Sequence, residues 1–162
     1  MSGWSTPDTG QLEPGHGLKI GYYAQEHENL DVDRSVLENM MSAAPDINET
    51  EARKVLGSFL FTGDDADKPA RVLSGGEKTR LSLAMLVVSS ANLLLLDEPT
   101  NNLDPPSRRA VADALKGWPG SIIFVSHDTE FVTELDPTKV LLMPDGAVDY
   151  FSDDWLELVS LS

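Results

Sequence analysis

The residues best equipped for chemistry are two adjacent acids, Asp97 and Glu98, which directly follow Leu93-Leu94-Leu95-Leu96. A short, continuous apolar run of this kind reads as a buried strand of a parallel sheet. Ligands of open α/β sheets bind at the carboxyl ends of such strands. A first carboxylate there can hold Mg²⁺ on nucleotide phosphates through a water, and the second can orient and deprotonate the water that attacks a γ-phosphate. Two acids that merely cap the next turn would have the same appearance, and on the pair alone the two readings weigh the same.

Three other places carry residue types of interest. Ser74-Gly75-Gly76 stands just before a helical pattern, where exposed backbone N–H groups and the helix dipole can meet an anion. An ordinary serine cap followed by glycines would look identical. His127 follows the apolar run Ile122-Ile123-Phe124-Val125, and Gln25 ends a strand pattern over 18–24. Taken singly, the first reads as a strand-end histidine satisfied by backbone and the second as a surface glutamine.

These residues must be positioned by a mixed α/β order. The stretch up to Gly17 is rich in Gly, Pro, Ser and Thr and reads as a loop. After the first strand, helices are expected over 35–43 and 49–61, where Val55, Leu56, Phe59 and Leu60 recur at helical spacing. The segment 63–69 breaks the pattern. A helix over 75–89 follows, with Leu81, Met85 and Val88 on one face and Leu83, Leu86 and Val87 widening it, so that it should be largely buried. The two apolar runs 93–96 and 122–125, separated by a helix over 105–116, form a βαβ unit of buried parallel strands. A hairpin over 139–143 and 147–151 turns at Pro144-Asp145-Gly146, and a short helix over 153–161 comes last.

Read in order, Leu73-Ser74-Gly75-Gly76-Glu77, then Leu93-Leu94-Leu95-Leu96-Asp97-Glu98-Pro99-Thr100-Asn101-Asn102-Leu103-Asp104, then Val125-Ser126-His127-Asp128 closely resemble the signature motif, Walker B segment, D-loop and H-loop of ATP-binding-cassette (ABC) ATPases. The resemblance runs from about Pro7 to the C-terminus. It implies an α/β, P-loop NTPase-like fold: a parallel sheet core with a helical signature subdomain. Its parts would be 18–25 (strand to Q-loop), 33–90 (helical and signature subdomain) and 91–162 (Walker B, D-loop, H-loop and C-terminal hairpin and helix) of one partial ATP-binding domain. ATP and Mg²⁺ are the implied cofactors. By the same resemblance Gln25 contacts Mg²⁺ and the attacking water, Asp97 holds Mg²⁺ through water, Glu98 is the catalytic base and His127 is a γ-phosphate switch. Ser74, Gly75, Gly76 and Glu77 would touch a nucleotide held mainly by a second ATP-binding domain, and Leu103 and Asp104 would lie in the D-loop at that interface.

The pattern is interrupted in one respect. A phosphate-cradling G-x-x-x-x-G-K-[ST] turn should lie ahead of Gln25, and the 162 residues contain none. Gly75-Gly76-Glu77-Lys78-Thr79 is a decoy, because Glu77 separates glycine from lysine. Pro7-Asp8-Thr9-Gly10 resembles the family's segment just after the P-loop helix, so the first strands, the P-loop and the adenine-stacking aromatic are expected to be missing. Sheet edges and apolar surface should then lie bare, and the chain alone should not turn over ATP.

The run Ser74-Gly75-Gly76-Glu77-Lys78-Thr79-Arg80-Leu81, with Asp97 to Asp104, looks like the ABC-F group, and the chain resembles the second of that group's two ATPase domains. Asn102 stands where many members have His. The resemblance implies a cytoplasmic protein without membrane domains that acts on the ribosome in translation or antibiotic resistance. The alternatives are the ATP-binding subunit of a membrane transporter and a non-catalytic remnant.

Composition bounds these readings. With 27 Asp+Glu against 12 Lys+Arg, net charge −15, the chain has no broad basic surface for nucleic-acid phosphates. Without cysteine it has no disulfide, thiolate metal site or thiol nucleophile. No apolar run approaches the roughly 18 residues of a membrane span, and the N-terminus lacks the basic start and apolar core of a signal peptide.

Overall fold

The computed structural model describes residues 9–11, 13–24 and 29–161. Gln25, with Pro7 and Asp8, lies outside the described residues.

Short polar side chains set where the helices begin. Ser35, Asn48, Ser74 and Asp104 precede α1 (Val36–Ala43), α2 (Glu49–Ser58), α3 (Gly75–Val88) and α4 (Pro105–Lys116), and each accepts a hydrogen bond from a first-turn N–H. Those N–H groups have no partner within the helix, so a side-chain oxygen in the cap position satisfies them. The sequence places the ends of α1, α3 and α4 to within a residue. It overruns α2: Phe59 is the cap and Leu60 takes a φ of 65°, a left-handed turn that ends the helix three residues before the apolar pattern does. Phe59 and Phe61 nonetheless remain in the core, because the turn folds them back onto it.

Three parallel strands form the central sheet: β1 (Ile20–Tyr23), β2 (Leu93–Asp97) and β3 (Ser121–Val125), with β2 in the middle. The expected βαβ unit is therefore present. β1 is shorter than the apolar run 18–24, because the Lys19 backbone is engaged by the Asn92 side chain and backbone instead. Register aligns Gly21, Leu94 and Ile122, and then Tyr23, Leu96 and Phe124, on one face. Leu94 and Leu96 are buried there, under helices that include α3. Gly21 is forced at this point, since a Cβ would lie 2.8 Å from Leu94 Cδ2 and 3.1 Å from Leu86 Cδ2.

The opposite face differs from the expectation of strands buried on both sides. It carries Ile20, Tyr22, Ile123 and Val125, exposed by 37%, 47%, 58% and 58%. A parallel sheet normally has helices on both faces, whereas the helices described here cover only one. Continuous apolar runs cannot distinguish the two cases, because both faces of each strand carry the same residue types.

The core is one cluster running from α1 and α2 through α3 to the sheet and α4. Polar groups pin its layers. The Tyr23 hydroxyl, 3.2 Å from Thr79 Oγ1, joins β1 to α3, and burial pushes its pKa up. Trp118 Nε1 donates to the Val87 carbonyl at 3.1 Å, which ties the end of α4 to α3. A helix the sequence did not announce, α5 (Thr129–Leu135), follows β3 and is held by Phe131, whose ring meets Phe124 edge to face at 5.8 Å. The antiparallel hairpin of β4 (Lys139–Leu142) and β5 (Ala147–Tyr150) matches its expectation. The last helix, α6, is Trp155–Leu161, and Trp155 Nε1 donates to the Tyr150 carbonyl. No helix among the described residues is long and apolar enough to cross a membrane.

Candidate functional site

The carboxyl end of β2 delivers the two acids to one edge of the sheet. Asp97 is the last strand residue, exposed, and by strand alternation lies on the open face with Leu93 and Leu95. Glu98 then turns sharply. Its φ is 46°, a left-handed value that costs an L-residue roughly 1–2 kcal/mol. The turn is held by the Glu98 N–H, which donates to the Val125 carbonyl at 2.9 Å. As a result the Glu98 side chain, 13% exposed, points to the turn after β3. Glu98 Oε1 lies 3.0 Å from His127 Nε2, and Oε2 accepts weakly from the His127 N–H at 3.4 Å. The structure thus brings Glu98 and His127 together, 29 residues apart in sequence.

The signature segment makes a second group. Ser74 and Glu77 form a reciprocal cap: the Ser74 N–H donates to Glu77 Oε2 at 2.7 Å, and Ser74 Oγ accepts from the Glu77 N–H at 3.3 Å. The Ser74 backbone bond lowers the Glu77 pKa, keeping its carboxylate charged. The bland reading of Ser74 as a helix cap is therefore correct locally. It leaves the N–H groups of Gly75 and Gly76, in the first turn of α3, outside the helix's own bonding.

The segment 98–104 joins the two groups. Asn101 N–H reaches the Glu98 carbonyl and Leu103 N–H the Thr100 carbonyl, so the segment is a pair of tight turns. Asp104 then caps α4 through the Ser107 N–H at 3.1 Å, and bonds from the Ser107 side chain and backbone lower its pKa. At Gly76 the Asn102 carbonyl oxygen approaches to 2.7 Å of where a Cβ would sit. The start of α3 and this loop therefore interlock through a missing side chain. Gly76→Ala is expected to displace the loop and to cost about 1–3 kcal/mol of stability, as overpacking does; thermal unfolding compared with Gly75→Ala, where nothing lies within 4 Å, checks it.

Asp97, Glu98 and His127 lie on this edge and not in a cavity. A cavity of about 680 Å³ lies between α1, α2 and the end of α3, lined by residues such as Ile47, Lys54 and Val88, and none of the described site residues lines it. Among the described residues no group of three or more His, Asp or Glu could hold a metal by itself. The donor set suits Mg²⁺ bound together with a nucleotide, because that ion takes one or two carboxylates and fills its shell with water and phosphate oxygens. Asp97 provides one such carboxylate, exposed and free of the His127 contact that engages Glu98.

Sequence reasoning quoted Thr100 and Asp128 within motifs but gave them no role, and it passed over Arg108. Asp128 caps α5 through the Phe131 N–H at 3.1 Å and pairs with Arg108 at 2.8 Å. An Asp immediately before a short amphipathic stretch was the available signal.

Known proteins are similar to this chain in sequence and fold. The family profile described as ABC transporter matches residues 3–101, more than half of the chain. A Bacillus subtilis (strain 168) protein named as an ATP-binding protein, YdiF, is 42% identical over 149 residues, which are 92% of this chain and 23% of that protein. YbiT of Escherichia coli O157:H7, named as a probable ATP-binding protein, is 41% identical over 146 residues, 89% of this chain and 28% of its own. ABC transporter F family member 5 of Arabidopsis thaliana is 36% identical over 157 residues, 96% of this chain and 22% of its own. The chain thus spans about a quarter of the length of the curated relatives it matches. A solved dimeric structure of the ATP-binding cassette MJ0796 with ADP and Pi superposes with a TM-score of 0.68 at 20% identity, covering 83% of this chain and 64% of that one. That likeness shows the fold, a P-loop NTPase-like α/β cassette. Profile, relatives and fold agree, and the chain belongs to the ABC transporter family of ATP-binding proteins.

Proposed function

We propose that this chain supplies the Walker B, H-loop and signature parts of an ABC-F ATPase that hydrolyses ATP, and that a phosphate-cradling turn outside these 162 residues completes the site. The observation that carries the reading is the carboxylate of Glu98 held 3.0 Å from His127 at the strand end beside Asp97. In hydrolysis a water oxygen attacks the γ-phosphorus, the bond to the β-phosphate oxygen breaks, and the water's proton passes to the Glu98 carboxylate. His127 orients Glu98 and stands ready to meet the γ-phosphate. Asp97, with Gln25, would hold Mg²⁺, which neutralises phosphate charge when bound. The Gly75 and Gly76 N–H groups, fixed by the Ser74–Glu77 cap, face the nucleotide of a second ATP-binding domain, and Asp104 closes the loop at that interface.

The parts are assigned as 18–25 for the strand leading to Gln25, 33–90 for the helical signature layer and 91–162 for the catalytic strand edge and C-terminal elements. The working place is the cytoplasm and the larger target the ribosome, in translation or antibiotic resistance; the F-family relative supports the ABC-F assignment on which this rests.

Calorimetric titration of the isolated chain with Mg·ATP tests the reading first: no saturable binding is expected up to millimolar nucleotide. Joining the chain to the P-loop-bearing segment of YdiF should then produce phosphate release. Tight binding by the chain alone, or a joined protein that binds ATP without hydrolysing it, overturns the proposal. Ribosome co-sedimentation of the joined protein with ATP tests the target separately.

A further inference from the structure

Two segments must hold still for Glu98 and His127 to stay in contact: the turns 98–104, and the turn between β3 and α5 that carries His127. One carboxylate, that of Asp128, ties the second to the helix that follows the first. Asp128 Oδ1 accepts from the Phe131 N–H at 3.1 Å, closing the start of α5, while Oδ2 accepts from Arg108 Nη1 at 2.8 Å. The Asp128 N–H donates back to Ser126 Oγ at 3.1 Å, which fixes the backbone on the other side of His127. Thr100 is buried in the turn after Glu98. Burial pushes the Asp128 pKa up, but Arg108, the Phe131 N–H and Thr100 outweigh it and hold the group charged.

Arg108 makes the connection longer. It sits one turn into α4, its N–H bonded to the Asp104 carbonyl, so its guanidinium rides on the helix that the Asp104 loop begins. With side chains 28% and 15% exposed, the Arg108–Asp128 pair is sheltered, unlike the exposed pairs of the molecule such as Arg71–Asp33 at 61% and 80%. Screening by water weakens exposed pairs most.

We infer that Asp128, paired with Arg108, is a positioning residue that clamps the His127 turn to the start of α4, where the 98–104 loop ends, and so sets the Glu98–His127 contact. Its use in hydrolysis rests on the function proposed above, but the clamp is a property of this chain and is measured without nucleotide. It also makes the loop carrying Asp104 and the turn carrying His127 one mechanical unit, so a displacement of either is felt by Glu98.

Amide hydrogen exchange on the whole chain tests it, with Met85 in buried α3 as the reference for global opening. Arg108→Met keeps the stem length and removes the fork. It is expected to speed exchange of the His127 and Leu103 N–H groups about tenfold while Met85 stays unchanged. Arg108→Lys should restore protection to within about threefold, because a point charge still reaches the carboxylate. Asp128→Asn keeps the helix cap, since Asn caps as well as Asp, and removes the charge that Arg108 pairs with. It should reproduce the Arg108→Met pattern, and it decides the matter if Arg108→Met fails to fold. Uniform acceleration that includes Met85, or unchanged exchange at His127, overturns the inference. Failure of the joined protein to hydrolyse ATP would overturn the proposed function and leave the exchange result standing.

Discussion

Glu98→Gln in the chain joined to a phosphate-cradling segment is expected to lower ATP turnover by roughly 10²–10⁴-fold, the span associated with removal of a general base. Gln has nearly the same shape, so the left-handed turn and the acceptor for the His127 N–H are both kept. What is lost is the negative charge that, in the proposed function, takes the proton from the attacking water. Nucleotide binding should survive, because the phosphates are held elsewhere, and the variant should accumulate the ATP-bound state. Phosphate release under single-turnover conditions, set beside ATP binding, measures the two effects apart. Turnover within threefold of the unsubstituted protein would remove Glu98 from the base role and return it to the plainer part of tying the loop to His127.

Leu94→Ala should be the most damaging single truncation in the sheet, at about 2–5 kcal/mol of unfolding free energy. Leu94 is fully buried at the centre of the middle strand, and Gly21 leaves just the room its methyl group fills. Truncation opens a cavity that rigid neighbours on β1 and β3 close poorly. The matched control is Ile123→Ala on the other face, where the side chain is 58% exposed and the cost should stay below about 1 kcal/mol. Urea unfolding of both variants checks the pair. Equal losses would mean that the open face is covered in solution.

Much of this organisation could be read from residue order. The four leucines before Asp97 read as a buried parallel strand because they form a short, continuous apolar run ended by acids; that the strand is the middle one of the sheet was not legible. The limits of α4 follow from Asp104 and two prolines, which start a helix and cannot continue one from within. What escaped the sequence is what depends on distance. α5 has only seven residues, two of them threonines, and it is held by Phe124 and Arg108 rather than by its own propensity. The stop at Leu60 uses a left-handed residue that is not glycine, so no local signal marked it. The fit of Asn102 over Gly76 joins residues 26 apart, and the glycine gave no sign of whether it served an anion or a neighbour. Asp97, Glu98 and His127 were visible as types at strand ends; that Glu98 turns toward His127 while Asp97 stays clear was not, because it comes from a single backbone angle.

That angle places two demands on one position. With φ at 46°, glycine would sit at position 98 without strain and glutamate does not. A Glu98→Gly chain would shed the backbone penalty together with the carboxylate, so resistance to unfolding and the capacity for proton transfer draw position 98 in opposite directions. A screen that rewarded only thermal robustness would tend to discard an acid aimed at the histidine, and under the proposed function a better-folded variant at this site would be a poorer catalyst.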